Sequence, residues 1–149
     1  VKSAALIAAV GLVLAFVAWR IFRTPAHVAA PPPIFTVNSI YEGVRVVNAS
    51  GLKAVQVLGT GSMEPHIPPH PLGKGVIVAV AGIDQTPFEA LVEGDYVNYR
   101  AASGDTLHKL GQRTERGFVV FGTANEVSDD QFVTASNYLG RVAVVYRLP

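Results

Sequence analysis

The sequence predicts a mainly β protein: a small antiparallel β domain preceded by one N-terminal transmembrane helix. Three observations predict it. An uncharged apolar run, AALIAAVGLVLAFVAW, fills residues 4–19. Short β-branched runs bounded by turn residues recur through the remainder of the chain. Only one brief stretch of that remainder carries a helical pattern.

The apolar run comes first, with Ile21 and Phe22 extending it past Arg20. About 19 helical residues at ~1.5 Å each reach roughly 28 Å, enough to cross a ~30 Å hydrocarbon core. Trp19 suits the interface, and Arg20 and Arg23 can snorkel toward it. A run without a polar face argues against a buried core helix. Val28-Ala29-Ala30 nearly offers a leader-cleavage site, but Pro31 follows directly, and proline after the scissile bond is a poor substrate. Residues 1–23 are therefore expected to be an uncleaved membrane anchor. Lys2 on one side and Arg20 and Arg23 on the other leave its orientation undecided by charge. Residues 24–34, beginning TPAHVAAPPP, read as a stiff polyproline-like tether.

Residues 35–149 form the expected β domain. Strands are predicted at Val44 to Val47, Ala54 to Leu58, Val76 to Val80, Tyr96 to Tyr99, Phe118 to Phe121 and Arg141 to Tyr146. Turns are predicted at 73–75, 93–95, 103–105 and 116–117, where glycine meets polar neighbours. Thr86 to Val92 carries the helical pattern, about two turns of it.

Composition narrows the chemistry. The chain has 149 residues, of which 50% are hydrophobic and 15% charged, so it is apolar for its size. A net charge of +1 gives no nucleic-acid footprint. With no cysteine, disulfides, thiolate metal sites and cysteine nucleophiles are excluded. His66 and His70 have the spacing of a helical metal pair, but Pro65, Pro68, Pro69 and Pro71 forbid a helix there. No third histidine lies near them in sequence, and neither a metal nor another cofactor is expected.

One stretch stands out as chemical. Gly59-Thr60-Gly61-Ser62-Met63-Glu64-Pro65 places a small hydroxyl in a glycine-flanked bend, between an apolar run and a proline-rich loop. Glycines there admit backbone conformations and close approaches that a Cβ would forbid. A serine hydroxyl needs a base within hydrogen-bond reach to become a nucleophile. His108 and Lys109 are adjacent in a strand-like run, and successive strand residues face opposite ways, so only one of them can face such a site.

Ser62-Met63 with proline two places on resembles the nucleophile box of the type I signal peptidases and the related self-cleaving SOS repressors. Further stretches resemble the later boxes of that family in the same order. Glu93-Gly94-Asp95-Tyr96-Val97 is similar to the Gly-Asp-hydrophobic box. His108-Lys109 matches the base position and its basic neighbour in the histidine-type, archaeal and endoplasmic-reticulum-like branch. Gly122-Thr123-Ala124-Asn125 with Ser128-Asp129-Asp130 resembles the Gly-Asp-Asn-Asn…Asp-Asp box, and Gly140-Arg141-Val142 the closing strand. Together these boxes span about Gly59 to Val142.

The resemblance implies a β domain of signal-peptidase/SOS-repressor-protease type. It implies Ser62 as nucleophile and His108 as general base, with Lys109 the alternative base. Counting from Gly122, the histidine-type pattern puts the orienting carboxylate at Asp129 and the lysine-type pattern puts it at Asp130. Thr123 departs from the family, which has an aspartate there. The Ser62 amide and the Thr60 hydroxyl become the expected oxyanion donors. The implied protein is a single-pass membrane serine endopeptidase with an extracytoplasmic catalytic domain. Its partners would be the lipid bilayer and a signal-peptide-bearing or other membrane-tethered pre-protein, cleaved after small residues and bound as an added strand. Two alternatives compete. Self-cleavage needs an Ala-Gly or Cys-Gly segment ahead of Ser62, and the chain has neither. A catalytically inactive membrane assembly subunit is the other.

Overall fold

Eight strands and one helix organise the described residues, 28–57, 61–67, 76–125 and 128–149, of this computed structural model. The expected anchor, residues 1–23, lies outside them, as do the first residues of the tether, 24–27. In chain order the elements are β1 (Ile34–Thr36), α1 (Ile40–Ala49), β2 (Lys53–Val57), β3 (Val76–Gly82), β4 (Tyr96–Ala101), β5 (Gly104–Thr114), β6 (Gly117–Phe121), β7 (Phe132–Val133) and β8 (Tyr138–Arg147). A 3-10 turn at Phe88–Ala90 precedes β4. Among the described residues no helix is long and apolar enough to cross a membrane.

The strands join in one sheet, ordered β2-β3-β8-β4-β5-β6-β7. Every pairing along that order is antiparallel, which confirms the mainly β antiparallel class. β1 alone runs parallel, beside β8. The sheet buries apolar side chains on both faces. On one face, Met63, Ile67, Val78, Val80, Tyr96 and Val142 share a cluster with Leu107. On the other, Val97, Tyr99, Leu110, Phe118, Val120 and Tyr138 pack together. The two clusters alternate along β4, as a strand buried on both sides requires.

β3 reads VIVAVAG and is buried over nearly its whole length, for the same reason. Val76, Val78 and Val80 enter the first cluster, while Ile77 and Ala79 turn to α1 and pack with Val47. This corrects the strand expected at Val44 to Val47, which is the middle of α1. Ser39 caps that helix, its hydroxyl accepting from the Glu42 amide at 3.1 Å, and Glu42 Oε2 accepts from the Asn38 amide at 2.8 Å. Ile40, Val44 and Val47 recur at helical spacing and meet β3 together, so burial of that stripe outweighs the β preference of valine.

The helical pattern over Thr86 to Val92 shrinks to the 3-10 turn at Phe88–Ala90. Pro87 starts the turn with an extended backbone, and Leu91 resumes an extended conformation after it. The described end of the tether does not stand free of the domain. The Ala29 amide donates to the Glu93 carbonyl at 2.8 Å, the Val145 amide donates to the Pro33 carbonyl at 2.9 Å, and Ile34 already belongs to β1.

Candidate active site

A bend at residues 61–67 places Ser62 beside the end of β6. Met63 and Ile67 anchor the bend, buried in the core on one sheet face. The segment after β6 holds its other side. The Ala124 amide donates to the Ser62 carbonyl at 2.9 Å, and Thr123 Oγ1 donates to the Glu64 carbonyl at 2.8 Å. Gly122 has no space for a side chain, because a Cβ there would collide with the Ser62 carbonyl oxygen and lie 3.0 Å from Ser62 Cβ. The 122–125 stretch therefore clamps the serine bend. Thr123, the position that departs from the expected aspartate, supplies one jaw of the clamp.

The strand register brings His108 to the same corner. Lys109 pairs with Phe121 across β5 and β6, so continuing the ladder sets residue 122 opposite residue 108. Ser62 packs against Gly122, and Ser62 and His108 both line a cavity of about 370 Å³. Lys109 points to the opposite face, where its Nζ lies 5.6 Å from the centre of the Phe121 ring. Of the two adjacent basic residues, the structure brings His108 to the cavity with Ser62 and sends Lys109 away.

The imidazole is held from behind. Asp129 Oδ2 lies 2.7 Å from His108 Nδ1, and the Tyr99 hydroxyl lies 3.1 Å from the same nitrogen. The carboxylate approach is close but out of hydrogen-bond alignment, leaving Oδ2 buried without an aligned donor. The Tyr99 hydroxyl in turn donates to Gln131 Oε1 at 3.3 Å. A phenol that donates to Gln131 can only accept from His108, so both neighbours favour a proton on Nδ1 and leave Nε2 as the basic nitrogen. Burial lowers the His108 pKa from its ordinary value, and the Asp129 charge opposes that fall without cancelling it. Burial, with a smaller push from Asp129, raises the Tyr99 pKa to about 12, so the phenol keeps its proton.

Asp129 is placed by its own backbone, whose amide donates to the Val120 carbonyl at 2.9 Å. Asp130 is exposed. Of the two oxyanion candidates, Ser62 is described and Thr60 lies outside the described residues. His66 stands edge-on to Tyr96, with ring centres 5.7 Å apart, and His70 lies outside the described residues.

Two more of the quoted stretches meet away from the cavity. Asp95 Oδ2 accepts from the Val92 amide at 2.9 Å, and Arg141 Nη1 lies 3.6 Å from Asp95 Oδ1. Their part in the fold is to fix the turn that launches β4 against β8. Sequence reasoning missed Tyr99 and Gln131. The only signal for Tyr99 was its place in the alternating run Tyr96-Val97-Asn98-Tyr99, and that signal needs the β4–β5 register to become readable.

Comparison with known proteins returns no match: no family model, no curated protein and no solved structure matches the chain. The arrangement itself can do defined chemistry. It sets a hydroxyl and an imidazole whose pKa burial lowers on one cavity, with a carboxylate behind the ring.

Proposed function

We propose that this chain is a membrane-anchored serine endopeptidase similar to the histidine-type signal peptidases. The observation that carries the reading is Asp129 Oδ2 at 2.7 Å from His108 Nδ1, behind an imidazole that shares its cavity with Ser62. His108 Nε2 takes the proton of Ser62 as the hydroxyl attacks a peptide carbonyl, then delivers that proton to the departing amine. Asp129 stabilises the imidazolium formed between those steps, and Tyr99 keeps the ring in the productive tautomer. Water then hydrolyses the acyl-enzyme by the same proton path in reverse. The Ser62 amide, with Thr60, is the proposed oxyanion pair, each such donor being worth on the order of 3 kcal/mol in the barrier.

The substrate in this reading is an extended segment of a membrane-tethered pre-protein with a small residue before the scissile bond. The predicted anchor at residues 1–23 supports that choice, since it would hold enzyme and substrate at one bilayer surface. The test is cleavage of such a reporter in membranes by wild type, Ser62→Ala, His108→Ala and Lys109→Ala. Ser62→Ala and His108→Ala are expected to lose activity on the order of a thousandfold or more, while Lys109→Ala keeps most of it. Cleavage that survives Ser62→Ala overturns the mechanism. A wild type inert toward every reporter favours the inactive assembly subunit.

A further inference from the structure

Asn98 is the unusual residue of the cavity. It sits in the middle of β4 and is only 2% exposed, on the face that carries the Met63 core cluster. Its neighbours across the ladder are Leu107 on β5 and Gly140 on β8. The first offers a hydrocarbon side chain and the second offers none, so neither can bond a carboxamide. Among the described residues no side-chain hydrogen bond reaches Asn98. Buried polar side chains are nearly always hydrogen-bonded, and an apolar residue would suit this core position better.

The carboxamide borders the cavity that Ser62 and His108 also line. Val55, Val57, Met63 and Ile67 supply apolar wall. Of the other polar neighbours, Gln56 and Asp105 are solvent-exposed and the half-buried Thr106 donates its hydroxyl to the Gly104 carbonyl at 3.2 Å, so Asn98 is the buried polar group with no side-chain partner that the cavity presents beside Ser62 and His108. A neutral amide offers both a donor and an acceptor, and apolar walls would not solvate a charge. An extended substrate ending its acyl half at Ser62 turns its −1 and −3 side chains to one face, as strand geometry dictates.

We propose that Asn98 is a specificity-determining residue and that the cavity takes a short, uncharged, hydrogen-bonding side chain at −1 or −3. Threonine fits it best, with its hydroxyl on Asn98 and its methyl on the valine wall. The assignment rests on the peptidase reading, and it narrows the substrate from small residues in general to small residues that hydrogen-bond. A pocket built to bond a hydroxyl rejects the isostere that lacks it far more strongly than an apolar pocket rejects an added hydroxyl.

The experiment compares threonine with its isostere valine, at −1 and at −3, in otherwise identical peptides cleaved by the full chain in detergent. The wild type is expected to favour threonine by about fivefold to tenfold in kcat/KM at one of these positions, the value of one net hydrogen bond. Asn98→Leu is expected to abolish or reverse that preference. Asn98→Ala, which adds no volume, repeats the comparison if the leucine variant does not fold. Equal rates for the two peptides in wild type overturn the assignment, as does a threonine preference that survives loss of the carboxamide. A second readout is independent of turnover: the side-chain amide resonance of Asn98 in full-length Ser62→Ala, titrated with the same peptides. A shift on binding the threonine peptide, with tighter binding than the valine peptide, supports the assignment even if the wild type cleaves nothing. An unmoved Asn98 resonance with peptides that wild type does cleave overturns the assignment and leaves the peptidase reading intact.

Discussion

Asp129 acts on His108 in two ways that a single substitution separates. Its charge raises a pKa that burial lowers, and its position favours the proton on Nδ1. Asp129→Asn removes the charge and keeps the size, so the His108 pKa should fall further below its ordinary range. In the proposed mechanism activity needs the neutral ring, so the acid limb of the pH–rate profile should move to lower pH. The plateau should drop on the order of a thousandfold, because the imidazolium loses its counter-charge and the tautomer its guide. A limb that moves up, or a plateau that holds, would remove Asp129 from the mechanism. The same shift bears on stability. Native His108 binds its proton only at a pH below its ordinary value of 6.5, whereas the unfolded chain binds one near 6.5. The unfolded state therefore carries the extra proton, and stability falls as pH drops through that window. That His108 and Lys109 must face opposite ways was legible from strand alternation alone. That His108 meets Tyr99 was not, because it depends on which residue of β4 pairs with which of β5.

At the scale of elements, α1 shows where a residue-by-residue reading loses to packing. Val44-Arg45-Val46-Val47 carries the β-branched content of a strand, but its neighbours include a capping serine and apolar residues at helical spacing. The sequence does hold a capping signal, Ser39 followed three residues on by Glu42. Ser39→Ala should cost about 1 kcal/mol of global stability, read as a lower urea midpoint at unchanged slope. It should leave reporter cleavage unchanged, because α1 packs on Ile77 and Ala79 and none of its residues lines the cavity. A cleavage defect in a variant of normal stability would mean that α1 reaches the site. β7 could not have been read at all, since two residues leave no periodicity to detect. The strands at 76–80, 96–99, 118–121 and 141–146 were legible because apolar β-branched or aromatic residues run between clear turns. Their order in the sheet was not, since β8 inserts between β3 and β4 through contacts remote in sequence.

For the whole molecule, the described stretch after residue 27 ties the front of the chain to the centre of the sheet. β4 pairs with β8 only at its start, from Tyr138 to Arg141, and β1 takes up the later part, from Val145 to Arg147. Proline suits the approach to β1, because Pro33 still offers its carbonyl to the Val145 amide while its missing N–H leaves no donor to bury. At the other end of the strap, Gly94 has φ +92, and a Cβ on it would run into the Ala29 backbone at 2.7 Å, so the turn needs glycine for both conformation and space. A chain beginning at Val28 should therefore fold as the full chain does, while one beginning at Asn38 should lose the strap. Three strap hydrogen bonds, Ala29 to Glu93, Val145 to Pro33 and Val37 to Arg147, are among those the shorter chain gives up. At about 1 kcal/mol net for each such bond, the expected loss is about 3 kcal/mol, together with a newly open edge on β8. Urea unfolding of the two truncated chains measures the difference. Equal midpoints would show that residues 28–37 rest on the domain without supporting it, as a spacer ahead of the sheet. A large difference would make it a rigid connection, and under the proposed membrane anchoring the sheet would then set the height of Ser62 above the bilayer.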